Sequence, residues 1–412
     1  MTPHEAIAKL RVWGWTGVVA FVRRTLNERV QARRLCHLAH TSRATRPTRG
    51  ITVIADLTGQ VSLSKTMRDF VLSLREAGIP CQTYDTCAQC EIPVEDAASI
   101  VTPAAEFDFK RYDHIVMMYR APVDPKLVPG IKIGRIAFHE SLHGIHETAP
   151  YLKASGDAII AMSDFNYEYY KDAFKGQPVY KITYPLRLDM SRATPRNELR
   201  MKYGVGPKDF LVYFNFDFGS YYRKNIPAAL KAFARAFKDA PDAKLLFKTK
   251  GARKNPRQVR EMECLVDELK IRDQFIHISS YLPRADVDGF AGVCDVYLSL
   301  HKSEGFGLGM AEAMAQGCPV VATNWSANTE FCRPDTALCV PYRLVPILPH
   351  EYMPAMKEWA EADVDAAAVA LRRLHGDAVL REELGESARA FLGEHFSLLN
   401  VKRDVLTWLC AM

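Results

Sequence analysis

The sequence predicts an α/β protein: two doubly wound, Rossmann-like domains facing a cleft, preceded by a basic helical extension. Three observations predict it. Apolar runs of strand length alternate with amphipathic runs of helix length from Ile51 to Thr323, the pattern of parallel sheets with crossover helices. The alternation lapses once, over Leu186–Pro207, and so divides into two series of similar size. Residues 1–50 stand apart, with ten Lys/Arg against two acids, a charge of +8 that leaves the rest at −2 of the chain's total of +6.

The bulk composition bounds the class. With 412 residues, 48% hydrophobic and 25% charged, the chain has the length of about two to three domains and the balance of a soluble globular protein. Intrinsic disorder, collagen-like repeats and small disulfide scaffolds are excluded, and no apolar run approaches the ~18–20 residues of a membrane span. Ten cysteines without a signal-peptide pattern read as free thiols in a reducing cytosol. Cys87 and Cys90 form one CxxC with no second pair at zinc-ribbon spacing and read as loop thiols. Cys81, Cys294 and Cys318 lie in apolar surroundings, as small core residues do.

In the extension, residues 1–48, Val18, Val22, Leu26 and Val30 recur every fourth residue on one helical face. Arg23, Arg24, Arg29, Arg33 and Arg34 surround them, and Trp13 and Trp15 precede them. An apolar stripe bordered by arginines suits a helix lying in a membrane interface. The competing expectation is a helix docked on its own domain with solvated arginines.

The first domain spans residues 49–190. Ile51–Leu57 reads as a buried strand, Thr58-Gly59-Gln60 as its turn, and Leu63–Glu76 as a helix closed by Gly78. Cys81–Tyr84, His114–Tyr119, Ile131–Phe138, Ala158–Met162 and Tyr180–Tyr184 read as further strands. Leu186–Pro207 is polar, with Pro195, Gly204, Gly206 and Pro207, and reads as the linker. The second domain, residues 205–395, alternates again. Its expected strands are Phe210–Phe214, Leu245–Lys248, Phe275–Ser279, Val296–Leu300 and Val320–Thr323. Its expected helices are Ile226–Lys238, Gln258–Leu269, Ala285–Gly292 and Gly309–Gln316.

The most informative stretch is VYLSLHKSEGFGLGMAEAMAQGCPVVATNWSANTEF, Val296–Phe331. A strand ends, His301, Lys302, Ser303 and Glu304 follow, and glycines 305, 307 and 309 lead into a small-residue helix that carries Glu312. Glycines let backbone approach a ligand, and a helix start offers free N–H groups and a positive dipole end. That is a phosphate cradle of neither GxGxxG nor Walker A type. Glu304 and Glu312 flank it, and a carboxylate can accept two hydroxyl hydrogen bonds. A phosphate between two hydroxyl-binding carboxylates describes a sugar–diphosphate–ribose ligand.

The E-x7-E pair inside EGFGLGMAEAMAQGCPVVAT resembles the donor signature of retaining GT-B glycosyltransferases of the glycosyltransferase-4 type. The resemblance covers about residues 50–410. It implies GT-B architecture, with a last helix within residues 396–412 crossing back to the first domain. It implies that Glu304 contacts the donor sugar, that Glu312 holds the ribose hydroxyls, and that the backbone of Phe306, Gly307 and Leu308 binds the diphosphate. FNFDFGSYYRKNIPAALKAFARAF is similar to the family's second motif, which assigns Arg223 and Lys224 to the leaving diphosphate. Many members place the arginine five residues before the lysine, where this chain has Gly219. Ser280-Tyr281-Leu282 resembles the stretch that holds the base, and Trp325–Asn328 would line the same site. In the first domain the resemblance points to Gly59 beside the phosphates and to His139 beside the anomeric carbon.

His139-Glu140-Ser141-Leu142-His143 is also a literal HExxH, with His146 nearby. On a helix it would bind zinc with Glu140 as general base. It follows a strand, contains a helix-weakening Gly144, and has Ala149 where a metzincin needs its third histidine.

The expected function is transfer of a sugar from a nucleotide-diphosphate sugar to a hydroxyl acceptor, with retention implied by the resemblance. No DxD-type metal site is visible and no metal or other cofactor is expected. The basic extension suggests peripheral contact with the inner membrane face from the cytoplasm, and hence a glycan or lipid-linked glycan of bacterial surface polysaccharide synthesis as acceptor. No nucleic-acid partner is expected, since no basic aromatic groove accompanies the extension. The alternatives are an HExxH zinc hydrolase, a non-catalytic nucleotide-sugar-binding subunit, and a sugar-nucleotide epimerase of the same fold.

Overall fold

A computed structural model of the chain describes residues 26–27, 29–44, 46–59, 62–87, 94–118, 127–137, 156–187, 194–280, 282–348 and 358–412. The chain forms two compact units. The first is built on six parallel strands, β1 (Thr48–Ala55), β2 (Cys81–Asp85), β3 (Tyr112–Met118), β4 (Lys132–Ala137), β5 (Ala158–Ala161) and β6 (Val179–Lys181). Their order is β2-β1-β3-β4-β5-β6, and all neighbours run parallel.

Near-continuous apolar runs form these strands because helices cover both faces of a parallel sheet. All six residues of Gly50–Ala55 are buried. The helix Ser62–Glu76 buries Met67, Phe70, Val71 and Leu74, one stripe at the helical period. Each such side chain contributes about 1.5–3 kcal/mol when taken from water.

Helix 29–40 docks on this unit through Leu35 and Ala39, which pack with Ile54, Ile115, Met117 and Ile133. Tyr84 donates to Gln31 Oε1 at 3.0 Å. The stripe expected from sequence is offset from this contact: Leu26 and Val30 are 54% and 45% exposed. Val18 and Val22 lie outside the described residues. The C-terminal helix Leu398–Ala411 belongs to the same unit. Its Asp404 accepts the Thr183 amide at 2.9 Å and the Thr183 hydroxyl at 2.6 Å. Its Trp408 is fully buried and set edge-on to His114 at 5.1 Å. Gly134 permits this seat, because a Cβ there would lie 2.7 Å from the Trp408 ring.

The second unit, built on residues Arg187–His395, holds β7 (Phe210–Asp217), β8 (Ala243–Lys250), β9 (Phe275–Ile278), β10 (Val296–Ser299), β11 (Val320–Thr323) and β12 (Leu338–Val340). They form a parallel sheet of order β12-β11-β10-β7-β8-β9. An antiparallel hairpin, β13 (Tyr342–Pro346) and β14 (Glu358–Ala362), follows it. The helices Val364–Gly376 and Ala378–His395 complete the unit.

Two expectations need correction. The segment taken as linker contains a helix, Arg196–Lys202. Its polar look reflects a buried anchor: the Arg200 guanidinium donates to the carbonyls of Val293 at 2.9 Å and Gly206 at 3.1 Å and pairs with Asp295 at 3.2 Å. Cys81, taken as core, is only half-buried, whereas Cys294 and Cys318 are buried as expected. Among the described residues, no helix is long and apolar enough to cross a membrane.

Candidate active site

From β7 the chain winds to β8 and β9 on one side, then returns with β10 on the other side of β7. The order reverses between β7 and β10, and ligands of such sheets bind beyond the carboxyl ends of strands at that reversal. β7 ends at Asp217 and leads into Phe218–Asn225; β10 ends at Ser299 and leads into Leu300–Gly307. The two segments singled out by sequence are therefore neighbours at the switch point.

Their side chains converge on Glu304. Its carboxylate pairs with Lys224 Nζ on one oxygen and lies 3.2 Å from the Arg223 guanidinium on the other. Arg223 also donates to the Ser303 carbonyl at 2.9 Å. Arg223 and Glu304 are buried, while Lys224 keeps 19% of its side chain exposed. Burial by itself would raise the Glu304 carboxyl; the positive charges of Lys224 and Arg223 outweigh it and draw it down to about 2. The group is a fixed carboxylate.

The segment after β11 braces this arrangement. Ser326 Oγ accepts the Glu304 amide at 2.8 Å, and the Ala327 amide donates to the Glu304 carbonyl at 3.3 Å. Asn328 Nδ2 donates to the Thr323 carbonyl at 2.9 Å, which turns its Oδ1 toward His301 Nε2 at 2.9 Å. That network assigns the His301 proton to Nε2 and leaves Nδ1 to accept from Ser299 Oγ at 3.0 Å. Burial holds the His301 imidazole below its ordinary range, so it is neutral at pH 7 and acts as a strut.

Beyond Glu304, Gly307 takes φ 101°, a conformation that L side chains avoid, and caps the helix Leu308–Ala315. The helix opens with its amides at the same switch point, a ready anion site. The Phe306 ring is buried against Phe331 at 5.2 Å, so of this residue only backbone is offered to a ligand. Glu312 lies within the helix and is half-buried. Leu308 is half-buried at the helix start, and Leu282 is buried. Asp217 is a local cap, accepting the Gly219 amide at 2.8 Å.

In the first unit, Gly59 follows β1, which borders that sheet's own order reversal between β1 and β3. Its amide donates to Asp56 Oδ1 at 2.9 Å and its carbonyl accepts from Arg68 at 2.7 Å. His139, Tyr281 and the whole HExxH segment lie outside the described residues. Among the described residues, no group of three or more His, Cys, Asp or Glu could hold a metal ion.

The sequence reading missed Asn225, Trp359 and Glu361, which border the same cluster. Asn225 Nδ2 donates to Glu361 Oε1 at 3.1 Å, and Glu361 Oε2 lies 2.8 Å from Lys302 Nζ. No local pattern announces contacts between positions 59 and 136 residues apart.

The family model described as glycosyl transferases group 1 matches residues 197–343. No curated protein matches the chain by sequence. Among solved structures, HepE from Anabaena, in complex with UDP and glucose, is 15% identical with a TM-score of 0.63, covering 89% of this chain and 100% of its own. Sucrose-phosphate synthase from Thermosynechococcus elongatus is 16% identical with a TM-score of 0.66, covering 87% and 98%. WaaG, a glycosyltransferase involved in lipopolysaccharide biosynthesis, is 14% identical with a TM-score of 0.58, covering 87% and 99%. At these identities the likeness establishes the fold: two parallel six-stranded Rossmann-like sheets of the GT-B kind.

Proposed function

We propose that this chain, whose residues 197–343 match the family model of group 1 glycosyl transferases, moves a sugar from a nucleoside-diphosphate donor to a hydroxyl acceptor with retention. The observation that carries the proposal is the Glu304 carboxylate held between Arg223 and Lys224 at the foot of a glycine-capped helix. These are the groups a sugar diphosphate needs. Lys224 has the exposure to meet phosphate, with Arg223 behind it. The amides after Gly307 add the positive end of a helix. Glu304, relieved of Lys224 by the phosphates, accepts sugar hydroxyls, and Glu312 does the same for ribose. UDP is the first donor nucleotide to test, because HepE was solved with it.

Charge grows on the diphosphate as the glycosidic bond breaks. A preorganised cationic site stabilises that charge without reorganising. His139, after β4, is assigned to the anomeric carbon, Tyr281 with Leu282 to the base, and Gly59 to the phosphate side. Residues 205–395 form the donor domain in this reading, and residues 49–190 with 396–412 the acceptor domain. No metal is required, since Arg223, Lys224 and the helix start supply the positive charge.

The acceptor is a glycan or lipid-linked glycan at an anionic membrane surface. Two observations support it: the +8 charge of residues 1–50, and the exposure of Leu26 and Val30 beside Arg29, Arg33 and Arg34.

The test is a thermal-shift and calorimetric panel of UDP, GDP, ADP and dTDP, each with and without EDTA, followed by product analysis with the matching sugar nucleotide. One nucleotide should stabilise the protein, EDTA should leave that shift intact, and Lys224→Ala should abolish it. Silence across the panel, or bound zinc whose removal unfolds the protein, overturns the proposal and favours the HExxH segment. Isomerised donor without acceptor transfer would mark an epimerase, and nucleotide binding without turnover a binding subunit.

A further inference from the structure

Glu361 stands outside the matched family segment, on the hairpin strand β14, yet it touches both loops of the candidate site. One carboxylate oxygen lies 2.8 Å from Lys302 Nζ, two residues before Glu304. The other accepts from Asn225 Nδ2 at 3.1 Å, one residue after Lys224. The main chain repeats the linkage. The Lys302 amide donates to the Arg223 carbonyl at 2.7 Å, and the Ala360 amide donates to the Lys302 carbonyl at 3.0 Å. The Lys302 side chain is 9% exposed and its ammonium sits 4.8 Å over the ring of buried Trp359. Asn225 is buried and takes φ 54°, ψ 50°, a left-handed conformation rare for a non-glycine residue.

A buried ammonium and a buried amide in a left-handed turn converge on one carboxylate. The Lys302 charge leaves water for a partner that keeps 28% of its side chain exposed, and Asn225 holds a left-handed backbone that asparagine adopts more readily than other side-chain-bearing residues. The arrangement fixes the relative position of two segments that share no covalent continuity, one carrying Arg223 and Lys224, the other Glu304. We infer that Glu361 is a positioning residue: the hairpin's carboxylate locks Lys302 and Asn225 together and thereby sets Lys224 against Glu304 for glycosyl transfer. This rests on the function proposed above. Glu361 touches neither reacting group itself. Its charge also matters, since Arg223, Lys224 and Lys302 against Glu304 and Glu361 give the platform one net positive charge, and loss of Glu361 gives it two.

The two consequences pull in opposite directions, which makes the inference testable. In Glu361→Ala, Lys224 and Glu304 lose their fixed spacing. A misplacement of an ångström costs about 100-fold in rate, so kcat for transfer should fall about 10- to 100-fold. The extra positive charge should leave UDP binding as tight as in the wild type or tighter, by about 2- to 10-fold. Adding Lys302→Met to Glu361→Ala should return UDP affinity to the wild-type value without restoring kcat. Glu361→Gln keeps an oxygen for Asn225 and should fall between. The probes are UDP by calorimetry and the active sugar nucleotide in the transfer assay, on the full chain, with melting temperature recorded for each variant.

A kcat within 2-fold of wild type in Glu361→Ala overturns the inference. So does a parallel loss of kcat, UDP affinity and melting temperature, which would mark Glu361 as merely structural. A wild-type chain that binds no nucleoside diphosphate and transfers no sugar overturns the proposed function and this inference with it.

Discussion

Ser326 accepts the amide of Glu304 on its Oγ at 2.8 Å while its own backbone sits at φ 76°, ψ −158°. That region is essentially a glycine region, and a non-glycine residue there stores about 1–3 kcal/mol of strain. The strain has a use. It aims the hydroxyl at the Glu304 amide and lets the next amide, that of Ala327, reach the Glu304 carbonyl. Both Ser326→Gly and Ser326→Ala remove the hydroxyl, but only glycine relieves the backbone. Ser326→Gly is therefore expected to be about 1–2 kcal/mol more stable than Ser326→Ala, with transfer reduced in both. Denaturant midpoints and transfer rates check it; equal stability of the two variants would mean that the strain is absent.

Lys224 and Glu304 satisfy each other across a buried boundary, so their substitutions should not add. Lys224→Ala and Glu304→Ala are each expected to lower kcat/KM about 100- to 1,000-fold, the cost of losing one preorganised electrostatic contact. The double variant should lose little more than the worse single one, because residues acting as a unit are grossly non-additive. The measurement is a double-mutant cycle in the transfer assay. Additive losses would show that the two groups act on separate steps.

Much of this was legible in the sequence, for identifiable reasons. Parallel strands buried on both faces leave unbroken apolar runs, so Val320–Thr323 was read to the residue. Glu304, Gly307 and Glu312 sit within nine residues of one another, and short range keeps such a motif readable. The hairpin β13–β14 was missed because β13 is largely exposed and carries no apolar alternation. The helix Arg196–Lys202 was missed because two of the partners that hold Arg200, Val293 and Asp295, lie more than ninety residues later. Ser326 was read only as part of the site-lining stretch Trp325–Asn328; its positive φ is imposed by its surroundings, and a serine does not announce it. The same limit hid Glu361, whose importance exists only where three separated segments meet.

The Glu304 carboxyl supplies a pH signature. Its folded value of about 2 lies below the ordinary 4.5, because Lys224 and Arg223 overcome burial. A depressed carboxyl stabilises the fold fully above its unfolded value and loses that contribution as pH falls toward its folded one. Wild-type stability should therefore decline from about pH 5 downward, and Glu304→Gln, which has no proton to take up there, should decline less steeply. Asp108, Asp242 and Asp286 are also held low, but they titrate alike in both proteins, so the difference isolates Glu304. Urea midpoints at pH 5 and pH 3.5 decide it; parallel slopes would contradict the ion-paired geometry.

The extension can be tested without removing it. Deleting residues 1–48 would take Leu35 and Ala39 out of the first unit's core, and a loss of vesicle binding could then reflect unfolding. Leu26 and Val30 are exposed and outside that core, so Leu26→Ser with Val30→Ser should leave the melting temperature within about 2 °C, as surface changes do. If the stripe lies in a membrane interface, the double variant should bind vesicles containing anionic lipid several-fold more weakly, since apolar burial and cation attraction both drive such binding. Charge reversal at Arg33 and Arg34, also exposed, should weaken it further, at about 1 kcal/mol per cation near the surface, and salt should weaken the wild type in the same way. Vesicle binding that ignores both sets of substitutions would reduce the arginines to solvated surface charge and remove the support for a membrane-borne acceptor, while leaving the donor site untouched.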